Sequence, residues 1–291
     1  YLLENSKNEA IVLNSKHIDL LRKVMQTPAD PDDIDGIDWE LCDLFAPLIQ
    51  SFTKRYFRLE IQGLDDVPYG PGLVVGNHNS GVGFFEAMGV GAHWYLNRGR
   101  KDIMHGLGHD AVVSTPMLGR ITTRMGIVRA SHQNANALFE SGRKVMVFPG
   151  GNREAFRPYK DRHKIAFGDR RGFIRLALKH SVPIIPVVYI GGHEGFFILH
   201  DGQFIAKLLK LDRILRTDTW PLMFALPWGL TLGPWMHLPL PTKCTTRYLE
   251  PISLEAYSPE DANNLEALDE IYLKVTGAMQ RAMDEMASQR R

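Results

Sequence analysis

The chain has 291 residues, 44% of them hydrophobic and 23% charged, with a formal net charge of +1. That supplies apolar material for one large or two modest domains with real cores. It gives no global field that would gather nucleic acid, which is excluded as a partner on this ground. Two cysteines, Cys42 and Cys244, offer neither metal-ligand spacing nor a disulfide framework, which fits a reducing compartment.

The opening residues show no signal-peptide pattern. Ile11–Met25 predicts a short amphipathic helix, and Pro28–Asp38 reads as an acidic Pro/Gly linker. Along Trp39–Tyr56, Leu41, Leu44, Phe45, Leu48, Ile49, Phe52 and, just beyond, Phe57 recur at helical spacing. Lys54 and Arg55 stand at its end, where the helix dipole favours cations. Such a helix packs on a core or, given its aromatic content, lies on a membrane. Residues 1–55 are therefore expected to form a helical segment that packs on the core or contacts a membrane, ahead of an α/β domain over 56–255 and a C-terminal helix over 256–291 packed on that domain. Phe57–Gln62 alternates as a strand.

Leu73–Met88, LVVGNHNSGVGFFEAM, organises the chain. Leu73-Val74-Val75 is a short buried strand ending at Gly76, and Phe84–Met88 opens a helix, with Ser80 and Gly83 near its start. His78 then sits just past a strand's C-terminal end, where open α/β sheets place their ligands. Glu86 is the first carboxylate after it. If the loop folds back the two meet, and a His held by a carboxylate is a general base for a hydroxyl. The competing reading makes His78 a turn cap and Glu86 a solvated helix-start carboxylate.

Further on, His105 and His109 are spaced i, i+4, but two glycines lie between them and no third ligand is spaced to help, so no metal site is expected. Pro116–Met125 predicts a helix, Gly126–Arg129 a strand, Gln133–Glu140 a helix capped by Ser131, and Val145–Phe148 a strand. The loop Pro149-Gly150-Gly151-Asn152-Arg153-Glu154 should open on the same rim as His78. Its glycines let backbone N–H groups approach a ligand, and Arg153 can hold a phosphate or carboxylate. From Arg153 to Arg175 eight Lys/Arg face three acids, either a solvated face or a site for phosphate groups. Gly172–His180 predicts a helix and Val182–Ile190 an apolar strand, so residues 57–190 form an α/β domain with a mostly parallel central sheet flanked by helices.

Phe204–Leu215 reads as helical. Thr219–Thr242 carries no charge over 24 residues, and its five prolines argue against a spanning helix. With Trp220, Trp228 and Trp235 it is core, an acyl-chain tunnel or a membrane-docking surface. Thr245–Leu249 is a last strand, and Pro259–Arg291 an amphipathic helix on the outside.

Four blocks come in a telling order: Gly76-Asn77-His78, Gly126-Ile127-Val128-Arg129, Phe148-Pro149-Gly150-Gly151-Asn152-Arg153-Glu154-Ala155, and Val182-Pro183-Ile184-Ile185-Pro186-Val187. Their sequence over about residues 55–250 resembles the glycerolipid acyltransferases, the superfamily of lysophosphatidate acyltransferase. PGG-x-RE, with Gly168-Asp169-Arg170-Arg171-Gly172-Phe173, is similar to the branch related to diacylglycerol acyltransferases. The resemblance implies the glycerolipid acyltransferase-type fold. It also implies acyl transfer from acyl-CoA or acyl carrier protein, as co-substrate, to a lipid hydroxyl, by a membrane-associated protein at the cytoplasmic face. His78 would be the base. Gly150, Gly151, Arg153 and Glu154, helped by Arg129, would bind substrate, with no metal, cofactor or acyl-enzyme. The commonest first block has Asp where Gly83 stands, which leaves Glu86 as the counterpart. The common third-block Glu is replaced by Gly150, which points away from a strict phosphatidate-type acceptor. A chain that kept the fold but lost the acid would bind lipid or acyl-CoA without turnover, and water in place of the acceptor would make a thioesterase.

Overall fold

In the computed structural model, which describes residues 15–79, 81, 85–214, 217–234 and 239–290, a seven-stranded sheet forms the frame. The strands are β1 (Glu60–Gln62), β2 (Gly72–Gly76), β3 (Met104–Gly108), β4 (Ile127–Arg129), β5 (Lys144–Val147), β6 (Ile184–Ile190), β7 (Phe197–His200), β8 (Leu222–Ala225), β9 (Gly229–Leu232) and β10 (Thr245–Tyr248). The main sheet runs β1-β10-β6-β2-β5-β3-β4, and β7-β8-β9 make a small antiparallel sheet. From β6 to β4 every pairing is parallel, while β10 joins β6 antiparallel and carries β1 parallel to itself.

The helices are α1 (Ser15–Gln26), α2 (Trp39–Tyr56), α3 (Phe85–Arg98), α4 (Asp110–Val113), α5 (Leu118–Arg124), α6 (His132–Glu140), α7 (Gly151–Ala155), α8 (Gly172–Lys179), α9 (Gly192–Gly195), α10 (Gln203–Leu208), α11 (Leu211–Ile214) and α12 (Leu265–Ser288). Side chains alternate across the central strands, as a strand's period of two dictates. Leu73, Val75, Val145, Ile184 and Val188 join α8 and α12 on one face, and Val74, Met146, Ile185 and Val187 meet Val90 and Trp94 of α3 on the other. Covered on both faces, β2, β5 and β6 are apolar runs.

Asp38 caps α2 by accepting the Leu41 N–H, and the helix buries Leu41, Leu44, Ala46 and Ile49. Leu41, Leu44 and Ile49 of its apolar stripe are packed inside the protein, while Phe52 is partly exposed. The C-terminal helix is also more deeply built in than an outer cover: Leu268, Ile271, Val275, Met279 and Met283 of α12 have no exposed surface. Two regions differ from expectation. β3 forms through Gly106 and Gly108, which the sequence reading left without an element, and the uncharged run folds into the β8–β9 hairpin. The beginning of the Ile11–Met25 helix, Ser80, Gly83, Phe84, Trp235 and the end of the Phe204–Leu215 helix lie outside the described residues.

Candidate active site

The sheet brings two loops side by side. Val75 of β2 is in register with Val147 of β5, so the chains leave the sheet together at the same rim. Asn77 continues the ladder with its side chain: Nδ2 donates to Tyr189 O at 3.0 Å and Oδ1 accepts the Tyr189 N–H at 2.8 Å. A Cβ at Gly76 would lie 2.8 Å from the Tyr189 ring and 3.0 Å from the Phe148 ring. The bare glycine therefore lets Phe148 close in, and Phe148 stacks on the His78 imidazole at 4.5 Å and 16°.

Two carboxylates hold His78. Its Nδ1 meets Glu86 Oε1 at 3.1 Å, and the same oxygen accepts the Asn79 N–H at 3.2 Å. Both side chains are nearly enclosed, with 11% and 4% of their surface exposed. The loop folds back as the eight-residue spacing permitted. His78 donates its backbone N–H to Glu154 Oε2 at 2.9 Å. Asn79 Oδ1 in turn accepts N–H groups of Gly192 and His193, which fastens the rim to the end of β6.

Glu154 is enclosed by the protein. It has no exposed surface, accepts the Ala166 N–H at 3.0 Å, and lies 3.5 Å from the equally enclosed Arg157 guanidinium. Burial pushes its carboxyl up, against Arg157 and the N–H groups of Ala166 and His78. Its oxygens are engaged inside the protein, beneath the rim that carries His78. Arg129 is held by two carboxylates: its Nε bonds both oxygens of Asp32 at 3.1 Å and its Nη1 bonds Asp110 at 2.6 Å. It sits on β4, at the far edge of the sheet from β2, and neither it nor Asp110 belongs to the His78 cluster as described.

Arg153, one residue before Glu154, points the other way and is held by Asp218. It lines a cleft of about 280 Å³ with Gly150, Gly168, Asp169 and Arg170. Arg170 donates to Pro149 O at 2.9 Å and has no carboxylate partner among the described residues. Part of the basic run is paired within the protein: Arg157 with the enclosed Glu154, and at the surface Lys164 with Asp161 and Arg171 with Asp269. Arg153 and Arg170 line this cleft, and Lys160 and Arg175 are exposed outside it.

The sequence reading missed Arg157, Asn79 and Phe148. Arg157 was findable as the cation three positions after Glu154, where helical neighbours meet. His193 was also missed; its Nε2 lies 3.1 Å from Ala155 O, and burial keeps its ring well below the usual histidine range. His105 lies inside a strand, with Nε2 3.0 Å from Ile34 O. Burial raises both thiols, Cys42 and Cys244, to about 12, so neither is a ready nucleophile.

Comparison with known proteins identifies the family. A family model described as diacylglycerol acyltransferase matches residues 42–280. An uncharacterized protein of Mycobacterium tuberculosis is 30% identical over 249 residues, 85% of this chain and 67% of that protein. The human protein named DGAT1/2-independent enzyme synthesizing storage lipids is 24% identical over 242 residues, 82% of this chain and 69% of its own. Among solved structures, the 1-acyl-sn-glycerophosphate acyltransferase PlsC of Thermotoga maritima is similar at a TM-score of 0.49 and 16% identity, over 95% of this chain and 89% of that one.

Proposed function

The chain belongs to the diacylglycerol acyltransferase family, within the glycerolipid acyltransferases, and from that premise we propose that it transfers a fatty acyl group from acyl-CoA or acyl carrier protein to a glycerolipid hydroxyl. The His78–Glu86 contact at 3.1 Å carries the reading. With the Nδ1 proton donated to Glu86, the lone pair at Nε2 is the base. The acceptor oxygen attacks the thioester carbonyl as Nε2 takes its proton. The C–O bond forms, the C–S bond breaks, and the imidazolium returns the proton to the departing thiolate. A donor in the Gly150–Arg153 loop stabilises the oxyanion in between. Arg153 and Arg170 at the adjacent cleft suit the phosphates of the donor. The protein works at the cytoplasmic face of a membrane, where both substrates collect.

The test offers labelled palmitoyl-CoA with lysophospholipids, monoacylglycerol and diacylglycerol, and follows products by mass spectrometry. His78→Ala should lower turnover by about 10² to 10⁴. Glu86→Gln keeps the shape but presents an amide that cannot hold the same tautomer, and should lose about 10² or more in turnover. An unchanged rate in His78→Ala would sink the mechanism. Free fatty acid as the sole product, at one rate with and without acceptor, would make the protein a thioesterase.

A further inference from the structure

We infer that the outer face of the β7–β8–β9 sheet, together with α10, docks the protein on an anionic lipid surface. An antiparallel sheet with one wet face alternates apolar-in and polar-out. This one is apolar on both sides. Ile198, Met223 and Ala225 point inward with no exposed surface, and the first two pack on Ala155 and Phe156. On the other side Phe224 and Leu230 are cross-strand partners, 48% and 62% exposed. Leu226 follows at the turn, and Phe204 and Leu208 of α10 are 74% and 68% exposed. α10 is continuous with the hairpin, since Asp201 just before it accepts the Trp220 N–H just before β8 at 3.0 Å.

Charge selects the occupant. Lys207, Lys210 and Arg213 beside the patch are exposed, and none pairs with a carboxylate among the described residues. A second copy brought onto this face would set like charges against each other, whereas an anionic leaflet attracts all three. The direction suits the chemistry as well. The small sheet is tied to the site rim by Asn152 Nδ2 to Thr217 Oγ1 at 3.2 Å and by the Arg153–Asp218 pair. Through these contacts a docked sheet lies next to the loop that carries Gly150 and Arg153. Among the described residues no helix is long and apolar enough to cross a membrane.

Binding is read without turnover, so it stands or falls separately from acyl transfer. The full chain is centrifuged with phosphatidylcholine vesicles, with and without phosphatidylglycerol. The wild type should bind the anionic vesicles more tightly, and salt should weaken that preference. Phe224→Thr/Leu230→Thr keeps strand formers at exposed positions; it should retain its thermal unfolding midpoint and bind about tenfold or more weakly to both vesicles. Lys207→Gln/Lys210→Gln/Arg213→Gln should lose mainly the anionic preference. No vesicle binding by the wild type, or equal binding by the threonine variant, overturns the inference. So does sedimentation showing a wild-type dimer that the threonine variant abolishes, since the face then belongs to a second copy.

Discussion

Replacing Gly150 by alanine tests how the site rim is built. The backbone there is ordinary helical, φ −63° and ψ −27°, which alanine adopts without strain. Space is the obstacle. An added Cβ would lie 2.3 Å from Glu154 Oε2, 2.4 Å from its Cβ and 2.5 Å from its Cδ. Because the Cβ is fixed to the backbone, rotating the carboxylate away relieves only part of the clash. The Glu154 side chain and the α7 backbone must both move, and with them go the bonds to the His78 and Ala166 N–H groups and the pairing with Arg157. Breaking a buried, hydrogen-bonded ion pair costs about 3–5 kcal/mol. The unfolded-state gain from Gly→Ala offsets about 0.4–1 kcal/mol of that. Gly150→Ala should therefore lose about 3 kcal/mol in urea unfolding and lose turnover as His78 shifts. A variant equal to wild type in both would refute the assignment of Glu154 as the support beneath His78.

Gly91 gives the opposite case: it lies within α3 and an added Cβ meets nothing within 4 Å, so Gly91→Ala should raise stability by about 0.5–1 kcal/mol in the same titration. Asp102→Asn leaves the enclosed Lys144 ammonium without its 2.7 Å carboxylate and should cost about 3–5 kcal/mol, while Lys144→Met/Asp102→Leu should cost less than that single change; a cheap Asp102→Asn would mean that the pair does not hold. Burial and the nearby Arg143 charge hold His105 down to about 4, against 6.5 when unfolded. The unfolded chain then takes up the proton first, so stability is full above about pH 6.5 and falls by about 3 kcal/mol as the pH drops towards 4. Urea midpoints from pH 7 to pH 4 should show this slope, and His105→Leu should remove that share of it.

The parts of the fold that were legible in the sequence are those whose local signal and tertiary role agree. Helix α2 was readable because its period, its Asp38 cap and its cationic end all coincide with its bounds. Strands β2, β5 and β6 were readable because burial on both faces leaves uninterrupted apolar runs. β3 was not: Gly106 and Gly108 have poor strand propensity, and the strand exists because β4 and β5 flank it on both sides. The hairpin β8–β9 was hidden for another reason. Its outward positions are apolar, so the alternation that marks a half-buried strand is absent. At the site, His78 and Glu86 could be paired because the loop between them is local. That Glu154 turns inward while Arg153 turns outward could not be read, because it depends on Arg157, Ala166 and the His78 N–H meeting in space.

That inward turn gives physical content to the PGG-x-RE block. The space that a Cβ at position 150 would need is filled by Glu154, so a glutamate at 150 and an inward Glu154 exclude each other. In this chain the carboxylate comes from four residues later and is withdrawn behind the backbone, where it fixes the position of His78 while Glu86 fixes the ring. Base placement and rim charge are thereby separated: one acid orients the imidazole, another anchors its main chain, and the outward positions are left to Arg153 and Arg170. On the proposed function, substitutions at those two arginines should change substrate binding while leaving the His78–Glu86 contact in place, whereas a change at Gly150 or Glu154 should disturb that contact.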